Sequence, residues 1–155
     1  MITRRTFVAQ TAGVAIASLG VGRLPGQAAA SPTAITVYKS ASCGCCTKWV
    51  DHLRASGFAP DVHDEADMDA IKDEMGVPKG VRSCHTALVD RYLVEGHVPA
   101  GDLRRLLKER PAVAGLAVPG MPKSTPGMAM PGETPEPYEV LAFARDGKTT
   151  SYAKH

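Results

Sequence analysis

The sequence predicts one α/β domain, a central mixed sheet flanked by helices. Two patterns lead there. Short β-branched or aromatic runs alternate with segments of helical period over residues 35–110. A cysteine-rich loop falls between the first strand-like and the first helix-like segment. The length of 155 residues suits a single domain behind a short leader.

Each element has its own reason. Ile35-Thr36-Val37-Tyr38 is β-branched and aromatic, which predicts a strand. After the loop Ser40–Gly44, a helix is predicted from Cys45 or Cys46 to Ser56. Trp49, Val50 and Leu53 form its apolar face, and Gly57 stops it. Phe58 to His63 reads as a second strand, weakened by Pro60. Asp67 to Met75 reads as a second helix, with Met68, Ile71 and Met75 facing the core and Gly76 and Pro78 ending it. Thr86–Val89 and Tyr92–Val94 predict a hairpin around Asp90-Arg91. A third helix is predicted from Gly101 to Arg110, with Leu103, Leu106 and Leu107 inward. This order, βαβαββα, with cysteines between the first strand and first helix, is the connectivity of a thioredoxin-like domain.

The texture changes after Arg110. Residues 111–137 contain seven prolines, four glycines and Met121, Met128 and Met130. No regular element is predicted there, and an irregular stretch of that length in a small domain marks a functional loop or a tail. Tyr138–Phe143 and Thr149–Tyr152, around the Asp146-Gly147 turn, then predict a C-terminal strand pair. That pair ties the stretch down at both ends, as a cover rather than a tail.

The N-terminus reads as an address. Residues 1–30 carry Arg4, Arg5 and Arg23 and no acid, a mildly apolar run from Val14 to Val21, and Ala28-Ala29-Ala30. That is the order of a cleavable export signal, too short and interrupted to span a bilayer core of about 30 Å. Arg4-Arg5 followed by Phe7 resembles the twin-arginine signal. The formal charge of +2 rests on this segment, because residues 31–155 hold 15 basic and 16 acidic residues, a net −1. No later stretch could cross a membrane. The expectation is a periplasmic domain of residues 31–155, in a compartment where thiols pair. The absence of a basic stripe and the scarcity of aromatics exclude a nucleic-acid partner.

In that compartment the cysteines carry most of the information. Cys43-Gly44-Cys45-Cys46 holds two patterns at once. Cys43 and Cys46 have the C-x-x-C redox spacing, while Cys43 and Cys45 have a C-x-C spacing suited to a compact soft-metal site. A helix start favours thiolate, which serves as nucleophile and as metal ligand alike. Cys84 and His85 lie just before a predicted strand, where a thioredoxin-like fold faces the cysteine loop and usually places a cis-proline. Four converging sulfurs beside an imidazole resemble a ligand set more than a dithiol pair. Thiolates select Cu(I), zinc or iron–sulfur clusters; Cys₄ or Cys₃His would also satisfy zinc. The loop methionines, with Met128 and Met130 spaced M-x-M, lean toward copper. They could equally be hydrophobes capping the core. His97 is a further ligand candidate, whereas His52, His63 and His155 are weak ones. Three readings stay open on the residues alone: a metal site, a thiol–disulfide redox pair, or two structural disulfides.

Four motifs in order resemble a known family: Cys-Gly-Cys-Cys before a Trp-bearing helix, Ser-Cys-His-Thr, Val-Glu-Gly-His-Val-Pro-Ala, and Gly-Leu-Ala-Val-Pro-Gly-Met-Pro. Over residues 35–154 the chain is similar to the CopG-like exported copper-resistance proteins. The resemblance implies a thioredoxin-like fold and a role in periplasmic copper tolerance. It implies that Cys43, Cys45, Cys46 and Cys84 bind copper, as a multinuclear Cu(I) cluster. His85, His97 and Met121 match family motif positions, with a less secure ligand status. Interconversion of Cu(I) and Cu(II) would make the protein a copper oxidoreductase. The expected partners are copper ions and other periplasmic copper-handling proteins. The rivals are a thiol–disulfide oxidoreductase using Cys43 and Cys46, and a copper metallochaperone.

Overall fold

The computed structural model describes residues 31–155. The export signal expected in residues 1–30 lies outside the described residues. Elements follow in the order β1 (Thr33–Lys39), α1 (Gly44–Ala55), β2 (Phe58–Asp64), α2 (Met68–Glu74), a 3-10 turn (Lys79–Val81), β3 (His85–Val89), β4 (Tyr92–Glu95), α3 (Ala100–Glu109), β5 (Gly115–Ala117), β6 (Glu139–Phe143) and β7 (Thr149–Lys154). The seven strands form one mixed sheet in the order β2-β1-β3-β4-β5-β6-β7. β1 runs parallel to β2 and antiparallel to β3. β5 runs parallel to β4 and antiparallel to β6. None of the described helices is long and apolar enough to cross a membrane.

The period-two alternation of the strands sorts side chains onto two faces. Ile35, Val37, Ala87, Val89, Tyr92 and Val94 join Trp49, Val50 and Leu53 of α1 and Leu103 and Leu106 of α3 in the main core. The opposite parity puts Leu93, Ala117 and Phe143 with Val77 and Val81, against the α2 side. Pro60 is tolerated because β2 is an edge strand, paired with β1 alone. α1 starts with its own cap, the Cys43 sulfur accepting the Cys46 N–H at 3.3 Å. Gly57, at φ +80°, follows it in the left-handed region that favours glycine.

Two expectations need correcting. The stretch 111–137 is not irregular throughout, because β5 lies within it and joins the hairpin strands to the C-terminal pair. Its sequence, Gly-Leu-Ala, carries little strand propensity. The backbones pack so closely there that a Cβ on Gly115 would overlap the Leu93 carbonyl oxygen. The second correction concerns α2. Met68, Ile71 and Met75 are only half-buried, and the buried residue of that helix is Lys72. β6 and β7 pair antiparallel, as expected of the C-terminal strands.

Candidate metal centre

Three segments meet at one end of the sheet. The first is the loop after β1 with the first turn of α1, carrying Cys43, Cys45 and Cys46. The second is the entry to β3, carrying Cys84 and His85. The third is the turn after β4, carrying His97. The β3–β4 ladder pairs Thr86 with Glu95, so the residues flanking that pair come side by side. The Gly96 N–H donates to the His85 carbonyl at 3.2 Å, which draws the second and third segments together.

The four sulfurs group so that all lie within 4.8 Å of one another. Cys84, His85 and His97 form a second group on the same criterion. Cys84 belongs to both. Its sulfur lies 3.3 Å from His85 Nδ1 and 3.3 Å from His97 Nε2. Cys43 and Cys46 are joined as a disulfide, and Cys45 and Cys84 are free. Cys45 Sγ stands 3.5 Å from Cys43 Sγ. The C-x-x-C pair and the four-sulfur group are therefore two redox states of one constellation. Reduction of one bond converts a pair of thiols into a set of four.

Burial governs the electrostatics. It pushes the Cys84 thiol up to about 11, with the nearby Cys45 adding to the effect. It holds His85 well below the ordinary histidine range, helped by His97 and Lys72. His97 is also lowered by burial. Protonated imidazolium is thus disfavoured, and the two buried rings are held neutral. Neutral imidazole is the donor state a soft cation needs, whereas the raised Cys84 thiol must release its proton for its sulfur to bind one.

The two imidazoles are prepared to different degrees. His97 Nδ1 lies 2.7 Å from the Pro126 carbonyl oxygen, and a carbonyl can only accept. The proton therefore sits on Nδ1, and the Nε2 lone pair faces Cys84, the arrangement that orients metal-binding histidines. The His85 ring is fully buried, 4.2 Å from the Trp49 ring and 5.1 Å from the His97 ring between centroids. Its Nε2 has no hydrogen-bond partner among the described residues. Trp49 is itself anchored by its indole N–H to the Val98 carbonyl at 2.9 Å.

Part of the proline-rich stretch covers this end of the molecule. Gly127 adopts φ +87°, and a Cβ there would lie 2.7 Å from the Trp49 nitrogen and 2.9 Å from the Cys45 carbonyl oxygen. The loop backbone is thus pressed on the first turn of α1. Thr125, fully buried, closes the turn by accepting the Met128 N–H at 2.9 Å through its carbonyl. Met121 is 42 % exposed with a left-handed φ of +50°. Met128 is half-buried and Met130 exposed. The Pro126 carbonyl had no signature in the sequence, because any residue carries one.

Comparison with solved structures settles the kinship. A structure titled "Copper resistance protein copG- Form 1" superposes with a TM-score of 0.74 at 47% identity, covering 80% of this chain and 98% of that one. A second, titled "Copper resistance protein copG- Form 2", matches at 46% identity with the same coverage and TM-score. The chain belongs to the CopG family. A family model described as "Protein of unknown function, DUF411" matches residues 81–128. No curated protein matches. Those 48 positions contain the CopG-like segment from Cys84 through His97 to Pro126, so the imidazole half of the centre and its covering loop fall in one matched block.

Proposed function

We propose that this CopG-family chain is a periplasmic copper-binding protein of copper tolerance. It takes up Cu(I) once the Cys43–Cys46 bond is reduced. Cys43, Cys45, Cys46 and Cys84 supply the sulfurs, and His97 and His85 supply nitrogen donors beside Cys84. The observation that carries the reading is the shared position of Cys84, one sulfur within 3.3 Å of two imidazoles and inside a four-sulfur group. The donor set is soft, largely buried and free of carboxylates, which favours Cu(I) over hard cations. A Cys₄ or Cys₃His zinc site uses the same atoms. The titles of the related structures and the loop methionines favour copper.

The mixed donor set also supports a redox role. Sulfur stabilises Cu(I) and imidazole accommodates both oxidation states, so the centre suits interconversion of Cu(I) and Cu(II). Met121 joins the ligands only if its exposed side chain folds inward. The twin-arginine-like start and the accumulation of cysteines support a periplasmic location. The partners of such a protein are other copper-handling proteins there.

Metal analysis of protein isolated from its own host tests the reading, together with Cu(I) competition titration of the reduced protein. Copper in the isolated protein and tight Cu(I) binding are expected. Absence of both would overturn it. The Cys43–Cys46 bond specifically favours a second reading, a thiol–disulfide oxidoreductase. That reading requires disulfide-reductase activity that is lost in Cys43→Ser and kept in Cys84→Ser.

A further inference from the structure

Behind the centre, on the α2 side of the sheet, lies a polar network that the copper site does not itself use. Glu95 and Lys72 are both buried, their side chains 0% and 3% exposed. Lys72 Nζ donates to Glu95 Oε2 at 2.8 Å and to Thr86 Oγ1 at 2.7 Å. The Thr86 hydroxyl donates in turn to Glu95 Oε1. Among the described residues, one side-chain bond leaves this triad. The Ser83 backbone N–H donates to Glu95 Oε2 at 2.9 Å.

That bond falls at a critical place. β3 starts at His85, so Ser83 and Cys84 precede the strand. Glu95 is itself fixed on both flanks: its carbonyl accepts from Val118 N–H at 2.9 Å, and the next N–H, of Gly96, donates to His85. Gly96 has φ +70°, and a Cβ there would meet Ser83 Oγ at 2.5 Å. The Ser83 segment is thus held by a carboxylate from below and packed against bare backbone beside it.

We infer that Glu95 is a positioning residue for copper binding: by holding the Ser83 N–H it sets Cys84 Sγ between His85 and His97. This rests on the copper reading above. A buried ion pair is a poor source of stability, since a well-packed apolar pair does as well or better. What an apolar pair cannot do is accept the Ser83 N–H. Lys72 holds one carboxylate oxygen in place, and Thr86 fixes the second. Groups that orient metal ligands in this way affect metal affinity by about 10–100-fold when removed.

The test uses two double variants, so that no buried charge is left alone. Lys72→Met with Glu95→Leu removes the charge pair and the acceptor. Lys72→Met with Glu95→Gln removes the charges but keeps a carbonyl acceptor for Ser83. Cu(I) affinity of each reduced protein is measured by competition with a chromophoric chelator, and folding by circular dichroism. The first variant is expected to be folded and to bind Cu(I) about 10–100-fold more weakly. The second should recover most of that loss. X-ray absorption on the first variant should show altered copper coordination. Equal affinity of both folded variants and wild type overturns the inference while leaving the copper reading intact. Failure of the wild type to bind Cu(I) overturns the copper reading itself. Should the leucine variant not fold, Ser83→Pro deletes the same donor with the triad untouched, after an Arg82 already extended at ψ 141°. Unchanged affinity in folded Ser83→Pro would equally sink the inference.

Discussion

His97 joins the covering loop to the sulfur centre: its Nδ1 donates to the Pro126 carbonyl at 2.7 Å, and its Nε2 lies 3.3 Å from Cys84 Sγ. Loop position and the orientation of the His97 ring are therefore one property. Anything that lifts the loop frees the His97 ring to rotate, and loosening the ring removes a loop anchor.

Gly127 tests this coupling from the loop side. It sits at φ +87°, and an added Cβ would meet the α1 backbone at 2.7 Å. Neither atom it meets can swing away, unlike a side-chain tip. Gly127→Ala should cost more than about 1 kcal/mol, the scale for alanine forced to positive φ. The loop should lift rather than the core unfold. Alkylation of Cys45 and Cys84 should accelerate in the variant while far-ultraviolet dichroism stays unchanged. Unchanged alkylation rates would show that the loop does not shield the thiols.

The disulfide makes a prediction about capacity. With Cys43 and Cys46 bonded, two thiols should react with a chromogenic reagent in denaturant; after reduction, four should. Cu(I) uptake should rise with that second pair. Cys84→Ser should weaken Cu(I) binding more than Cys45→Ser, because Cys84 belongs to both groups of donors. Serine keeps the shape but replaces a soft donor with a hard one. Equal losses from the two substitutions would count against a shared role for Cys84.

Much of this architecture was legible in the residues. Ile35 to Tyr38, the Trp49 face of α1 and the Leu103–Leu106 face of α3 announce themselves through periodicity, because each buries one side against the same sheet. The cysteines and His85 cluster because the topology brings the β1 exit and the β3 entry together. β5 was not legible: Gly-Leu-Ala becomes a strand only because β4 and β6 offer partners on both sides. Nothing in the sequence marks Lys72 and Glu95 as buried, because lysine and glutamate are almost never fully buried unless paired, and these two lie 23 residues apart. His97, unlike His85, has no cysteine beside it in sequence, yet the Pro126 carbonyl fixes the orientation of its ring.

His52 shows the same kind of hidden role and gives a pH dependence. α3 follows Pro99, which offers no side-chain cap. The cap comes from α1: the Ala100 N–H donates to His52 Nε2 at 3.2 Å. Only unprotonated Nε2 can accept. Burial lowers the His52 pKa below the ordinary histidine value, and the neighbouring Arg104 lowers it further. The folded state thus binds this proton less readily than the unfolded chain does. Its contribution to stability is complete above the unfolded value, about 6.5 for histidine. It is lost as pH falls toward and through the lowered folded value. His85 and His97 act in the same direction, so the His52 share must be taken by difference. His52→Gln keeps an acceptor that does not titrate in this range. The melting temperature of the wild type should fall faster than that of His52→Gln on going from pH 7 to pH 5. His52→Ala should be less stable than wild type at pH 7 by about 1 kcal/mol, the value of one hydrogen bond. Parallel pH profiles for wild type and His52→Gln would show that the α3 cap does not depend on this imidazole.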